Sequence, residues 1–86
     1  MKIFTNVTIE DNMYYLVDRN NFVNAKHENK EALKNIAKQF DDETRKLITK
    51  YGSKRELEDF EKEIKQHSWV ILKGSILKKF EITENI

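Results

Sequence analysis

The sequence predicts an α+β fold: an antiparallel β-sheet built from two hairpins, with an antiparallel helical hairpin on one face, in the order ββ-αα-ββ. Three features predict it. Residues 3–17 alternate around a polar break at Glu10-Asp11-Asn12, residues 29–66 keep a helical period on both sides of Gly52-Ser53, and residues 69–82 return to short apolar runs around Gly74-Ser75. With 86 residues, no proline and only those two glycines, no linker or repeat interrupts the chain, and one domain over residues 1–86 is expected.

In the first hairpin, Ile3, Thr5, Val7 and Ile9 share one strand face, and Phe4, Asn6 and Thr8 share the other. Glu10, Asp11 and Asn12 supply a three-residue loop in which Asn12 tolerates the left-handed conformation. Met13 to Val17 form the second strand. That loop length sets Ile9 against Met13, Val7 against Tyr15 and Thr5 against Val17. Residues 18–29 are polar and carry no clear period; Asn29 reads as a helix N-cap.

Leu33, Ile36, Ala37, Phe40, Leu47, Ile48 and Tyr51 then hold one helical phase. The spacing predicts a single helix over about 30–51, roughly 33 Å long at 1.5 Å per residue. A break at Asp41-Asp42 is the alternative. Gly52 reads as the C′ residue that stops this helix. Ser53 with Glu56 forms a capping box that opens a second helix at once. That helix carries Leu57, Phe60 and Ile64 on one face and is expected to end near His67. Trp69 to Leu72 form a β run, and Gly74-Ser75 suits a type II′ turn setting Trp69 against Phe80, Ile71 against Lys78 and Leu72 against Leu77.

Composition narrows the function. Lys plus Arg number 16 against 15 Asp plus Glu, a formal net charge of +1, which excludes a uniformly basic nucleic-acid coat and a uniformly acidic mimic. Without cysteine there is no disulfide framework and no thiolate nucleophile. The longest apolar run, Met13 to Val17, falls far short of the about 20 residues of a membrane span. A soluble, cytoplasmic chain with no membrane partner is expected.

Nothing in the residues supplies catalytic equipment. The histidines are His27 and His67, and His67 and Ser68 are chain neighbours that a strand would point to opposite faces. Neither a nucleophile elbow nor a glycine-rich phosphate loop is present. His27 and Glu31 are half of a metal-binding pattern that lacks its second histidine. On a helix, Asp41, Asp42 and Glu43 fan apart by about 100° each. The chain is expected to be no enzyme and to need no metal or cofactor.

The charge is polarised. Residues 26–55 hold nine basic and five acidic side chains, whereas residues 56–64 hold five acids against Lys62. Three candidate contact surfaces follow. Glu56, Asp59 and Glu63 form an acidic ridge suited to a partner protein with a basic groove. Lys26, Lys30, Lys34 and Lys38, with Lys46 and Lys50, form a lysine-rich helix face suited to a phosphate backbone. If Ile3, Val7, Ile9, Met13, Tyr15 and Val17 face the helices, then Phe4, Tyr14 and Leu16 face away, joined by Val70, Leu72 and Leu77, as a partner or homodimer face.

The expectation is a stand-alone protein-binding module. Its Lys, Asn and Ile content, 30 of 86 residues, suggests an AT-rich coding source of the kind found in phages and mobile elements. Such a module would inhibit or regulate a host nucleic-acid-processing protein by occluding its surface. Direct nucleic-acid binding through the lysines is the alternative.

Overall fold

The computed structural model describes residues 2–66 and 69–84. In chain order the elements are β1 (Lys2–Thr5), β2 (Tyr14–Val17), β3 (Val23–His27), α1 (Lys30–Tyr51), α2 (Lys54–Lys65), β4 (Val70–Lys73), α3 (Gly74–Leu77) and β5 (Glu81–Glu84). The fold is α+β, but its sheets are mixed. β3, β2 and β4 form an antiparallel sheet with β2 in the centre, and β1 pairs with β5 in parallel. A parallel bridge from Phe4 to Phe22 links the two. The two predicted hairpins, 3–17 and 69–82, are therefore both replaced by other pairings.

Tyr15 explains the loss of the first hairpin. It is fully buried, so its hydroxyl must find partners away from water. It accepts from the Glu10 N–H at 2.7 Å and donates to the Thr8 carbonyl at 3.2 Å. The segment 8–13 is thereby laid over the core, with Ile9 buried, and does not pair as a strand. β1 stops at Thr5, whose hydroxyl donates to the Val7 carbonyl and accepts from the Val7 N–H. Val7 ends up exposed.

The true hairpin joins β2 to β3 through the polar segment that shows no period. Asp18 organises it. Its backbone carbonyl accepts from the Asn21 N–H and its own N–H donates to Phe22, while Oδ1 accepts from the N–H groups of Asn20 and Phe22. Asn21 takes the left-handed conformation at φ 63°, the arrangement of a three-residue hairpin loop. β3 alternates in burial, with Val23 buried and Asn24 and Lys26 exposed.

Gly74 explains the loss of the second hairpin. It adopts no positive φ. Its place in the chain is a close crossing: a Cβ here would lie 1.8 Å from the Glu10 carbonyl oxygen, and its N–H donates to the Met13 carbonyl at 2.8 Å. From that crossing the chain turns through α3 and leads into β5, which lies beside β1 with Ile3 opposite Ile82.

The core contains Ile3, Ile9, Tyr15, Val17, Val23 and Leu77, flanked by Met13, Leu72, Phe80 and Ile82. Leu16 and Leu33 are equally buried but lie outside that cluster, on the face of β2 that α1 covers. The predicted faces are thus inverted. Tyr15 and Val17 look away from α1, Leu16 looks toward it, and Leu72 and Leu77 join the core instead of facing out.

The helices follow the sequence. The Asn29 side chain caps α1 by accepting from the Glu31 N–H at 2.9 Å, and α1 runs unbroken through Asp41-Asp42. Gly52 ends it in an extended conformation, not the left-handed one. Ser53 caps α2, its hydroxyl accepting from the Glu56 N–H at 3.1 Å. The last residue of α2 is Lys65; His67 and Ser68, named above for the helix end and for catalysis, lie outside the described residues. Trp69 fixes the start of β4 to the middle of α1. Its Nε1 donates to Asp41 Oδ1 at 2.9 Å and its ring lies 5.7 Å from that of Phe40.

Candidate functional site

The helical hairpin is the most extended feature of the molecule. A strand of four or five residues spans about 15 Å, and three strands are about 10 Å wide between outer axes. α1, at 22 residues, is roughly 33 Å long. Its first half lies on β2, β3 and β4, and Leu33 is its one fully buried residue among those described. The second half packs on α2 through Arg45 and Phe60 and has no fully buried residue. No described residue of α2 is fully buried.

Arg45 holds the two helices together. It pairs with Glu61 of α2 and, at 2.7 Å, with Asp42 one turn earlier in α1, and its guanidinium carbon lies 5.9 Å from the centre of the Phe60 ring. The hydrogen bond to Glu61 raises the Arg45 pKa and lowers that of the Glu61 carboxyl, in both cases against an opposing effect of desolvation. This pairing between the helices engages the Glu61 carboxylate with Arg45, although both side chains stay partly exposed.

The predicted acidic ridge runs along one side of α2, the side that Glu63 turns toward the sheet. Glu56, Glu58 and Asp59 are exposed and form no ion pair among the described residues. Glu63 is half-buried and pairs with Arg19 at 2.5 Å, on the turn between β2 and β3. One side of α2 is therefore tied to the sheet's hairpin tip, and the rest of the ridge stays open.

The six lysines do not make one ridge. Lys26 lies on β3 and pairs with Glu10 at 2.6 Å; that hydrogen bond raises its pKa. Lys34 pairs with Glu31 at 3.1 Å. Lys30, Lys34 and Lys38 share one side of α1, but at about 100° per residue Lys50 is turned about 160° from Lys30. Lys50 instead lies 5.1 Å from the centre of the Tyr51 ring.

Phe4, Tyr14 and Leu16 do not form an exposed apolar face. Leu16 has no accessible surface, and Phe4 and Tyr14 are half-buried. Of the predicted outward set Val70 is exposed; the other exposed large apolar side chains are elsewhere, Leu47 and Tyr51 on the far half of α1 among them. The sequence carried a signal for these two, since the apolar stripe of α1 is longer than any sheet of short strands can cover.

His27 sits on β3, not at a helix start, and its Nδ1 accepts from the Asn29 N–H at 2.8 Å. Among the described residues no three His, Asp or Glu side chains converge to hold a metal ion, and no helix is long and apolar enough to cross a membrane. A shallow groove of about 340 Å³ lies beside Trp69 and Ile64, lined on α1 by Lys34, Lys38, Asp41 and Arg45, but its charges are already engaged at Asp41 and Arg45. No family model matches the chain, and no curated protein or solved structure matches it with significance.

Proposed function

We propose that this chain is a small protein-binding module that acts by occupying a surface on another macromolecule, with α2 as its docking element. The observation that supports it is a helix without a single fully buried residue, held out on an arm, whose Glu56, Glu58 and Asp59 have no ion-pair partner among the described residues. Exposed carboxylates of this kind contribute little to folding. They are suited to steer and fix a positively charged target. A basic groove of a nucleic-acid-processing protein has that chemistry, and covering it would inhibit or regulate the enzyme.

The test is a pull-down from the source cell with tagged protein and with the triple variant Glu56→Lys, Asp59→Lys and Glu63→Lys. The reading expects a specific partner that the variant loses. An unchanged catch overturns it. Direct nucleic-acid binding through Lys30, Lys34 and Lys38, which share one exposed side of α1, is the second reading. It expects binding to generic DNA or RNA that weakens steeply with salt, and absence of binding at low salt removes it.

A further inference from the structure

We propose that the underside of the projecting helical hairpin is a groove for a basic amphipathic helix of a partner protein, anchored on Leu47 and Tyr51 and walled by the acidic side of α2. This rests on the docking reading above and names both the surface and the chemistry of its occupant.

The anchor residues belong to a stripe that the sheet does not finish covering. Leu33, Phe40, Leu47 and Tyr51 stay within about 40° of one another around α1. Leu33 is fully buried against the sheet, whereas Leu47 is 59% and Tyr51 75% exposed. The same face of the same helix is thus a core face at one end and a bare apolar face at the other. Tyrosine is among the side chains that most often anchor an interface, and Leu47 extends the apolar area beside it.

The acidic wall lies on that same side. Glu63 meets Arg19, which belongs to the turn between β2 and β3, so the Glu63 side of α2 faces the sheet side of the arm. Asp59 is one turn before it. Phe60, half-buried beside Arg45, lies between this wall and α1. Arg19 also shows by example what the wall accepts: an incoming cation can take the place that its guanidinium holds on Glu63.

Lys50 lies over the Tyr51 ring, but at about 100° per residue it stands on the flank of that face away from α2, so the carboxylates of the α2 flank select the occupant. A second copy must approach antiparallel, because the sheet blocks a parallel approach on that face. It would then set one acidic α2 against the other. Nucleic acid meets the same carboxylates. A helix with apolar residues at i, i+3 and i+4, and lysine or arginine beside them, places its apolar side on Leu47 and Tyr51 and its cations on Asp59 and Glu63.

The probes are a fluorescently labelled leucine–lysine amphipathic peptide and its leucine–glutamate counterpart, followed by anisotropy at near-physiological salt. The leucine–lysine peptide is expected to bind and the leucine–glutamate peptide not to. Leu47→Ala with Tyr51→Ala is expected to weaken binding about tenfold or more, at an unchanged melting temperature because both side chains are exposed. Asp59→Lys is expected to weaken it as well. Equal binding of both peptides, no binding of either, or full binding by the double variant overturns the proposal. So does a concentration-dependent dimer that the double variant abolishes, which assigns the face to a second copy. If the double variant keeps the cellular partner and the charge-reversed variant loses it, this groove falls while the docking function stands. If neither variant loses the partner, both fall.

Discussion

Arg19 and Glu63 meet at 2.5 Å, joining the tip of the β2–β3 turn to the last turn of α2. The two residues are 44 positions apart in the chain, and both side chains are substantially exposed. An exposed pair of this kind is worth about 0–1 kcal/mol. Its larger consequence is positional, because it marks which side of α2 faces the sheet and engages a carboxylate a partner's cation needs. Arg19→Ala is expected to lower the melting temperature by no more than about 4–8 °C and to tighten binding of the leucine–lysine peptide severalfold. Weaker binding in the Arg19→Ala protein would show that Arg19 builds the groove and does not compete for it.

Tyr15 has no accessible surface and bonds two backbone groups of the crossing segment. Tyr15→Phe keeps the ring and leaves the Glu10 N–H and the Thr8 carbonyl without their partner. A loss of about 1–3 kcal/mol is expected, measured by urea unfolding with an unchanged slope. A loss near zero would mean water replaces the hydroxyl at no cost.

Gly74 admits no side chain. A Cβ would lie 1.8 Å from the backbone oxygen of Glu10, which cannot rotate away. Gly74→Ala is expected to cost more than about 3 kcal/mol, in the range that marks strain at a packed backbone site, or to prevent folding. At Gly52 the nearest atoms are at 2.9 Å and one belongs to the flexible Glu56 carboxylate, so Gly52→Ala is expected to cost clearly less. Comparing the two variants by circular dichroism and thermal unfolding checks the order.

The Arg45–Glu61 pair makes stability depend on pH in a defined direction. Its hydrogen bond lowers the Glu61 pKa in the folded protein, so the folded state binds this proton less readily than the unfolded chain. The contribution is fully present above the ordinary glutamate value of about 4.3 and is lost as pH falls through the lowered one. Arg45→Gln is expected to lower the melting temperature at pH 7, with the gap to wild type closing toward pH 3. A gap that stays constant with pH would show that Arg45 acts by packing on Phe60 alone.

Trp69 and Asp41 join β4 to the middle of α1 at 2.9 Å. Trp69→Phe keeps the stacking on Phe40 but removes the donor. It is expected to cost about 1–2 kcal/mol, and Asp41→Asn, which retains an acceptor oxygen, less.

Local signals were legible wherever one short segment decided the outcome. Asn29 and Ser53 cap helices because the acceptor and the N–H it meets are two or three residues apart. The phase of the α1 stripe likewise carried it through Asp41-Asp42. The strands failed because their partners are distant. Alternation placed Ile3, Ile9, Tyr15 and Val17 together correctly, as the core confirms, but alternation cannot say which layer covers a face, and α1 took the side of Leu16. Parallel pairing of β1 with β5 joins Ile3 to Ile82 across nearly the whole chain, and no neighbouring residues announce it. β3 was hidden because Asn24 and Lys26 are polar and its anchor, Asp18, resembles any loop aspartate. Among the candidate surfaces, the common helix side of Glu56, Asp59 and Glu63 follows from their spacing, whereas the exposure of Leu47 and Tyr51 depends on how short the sheet is.

The central claim is that the molecule acts by docking through its projecting hairpin. A photo-reactive side chain placed at Arg55, exposed one turn before Asp59 on α2, tests it most directly in the source cell. The account expects one dominant covalent adduct with a second protein, abolished when Glu56 and Glu63 are reversed to lysine. No adduct at Arg55, together with an adduct from the same probe at Glu81 on β5, would contradict it.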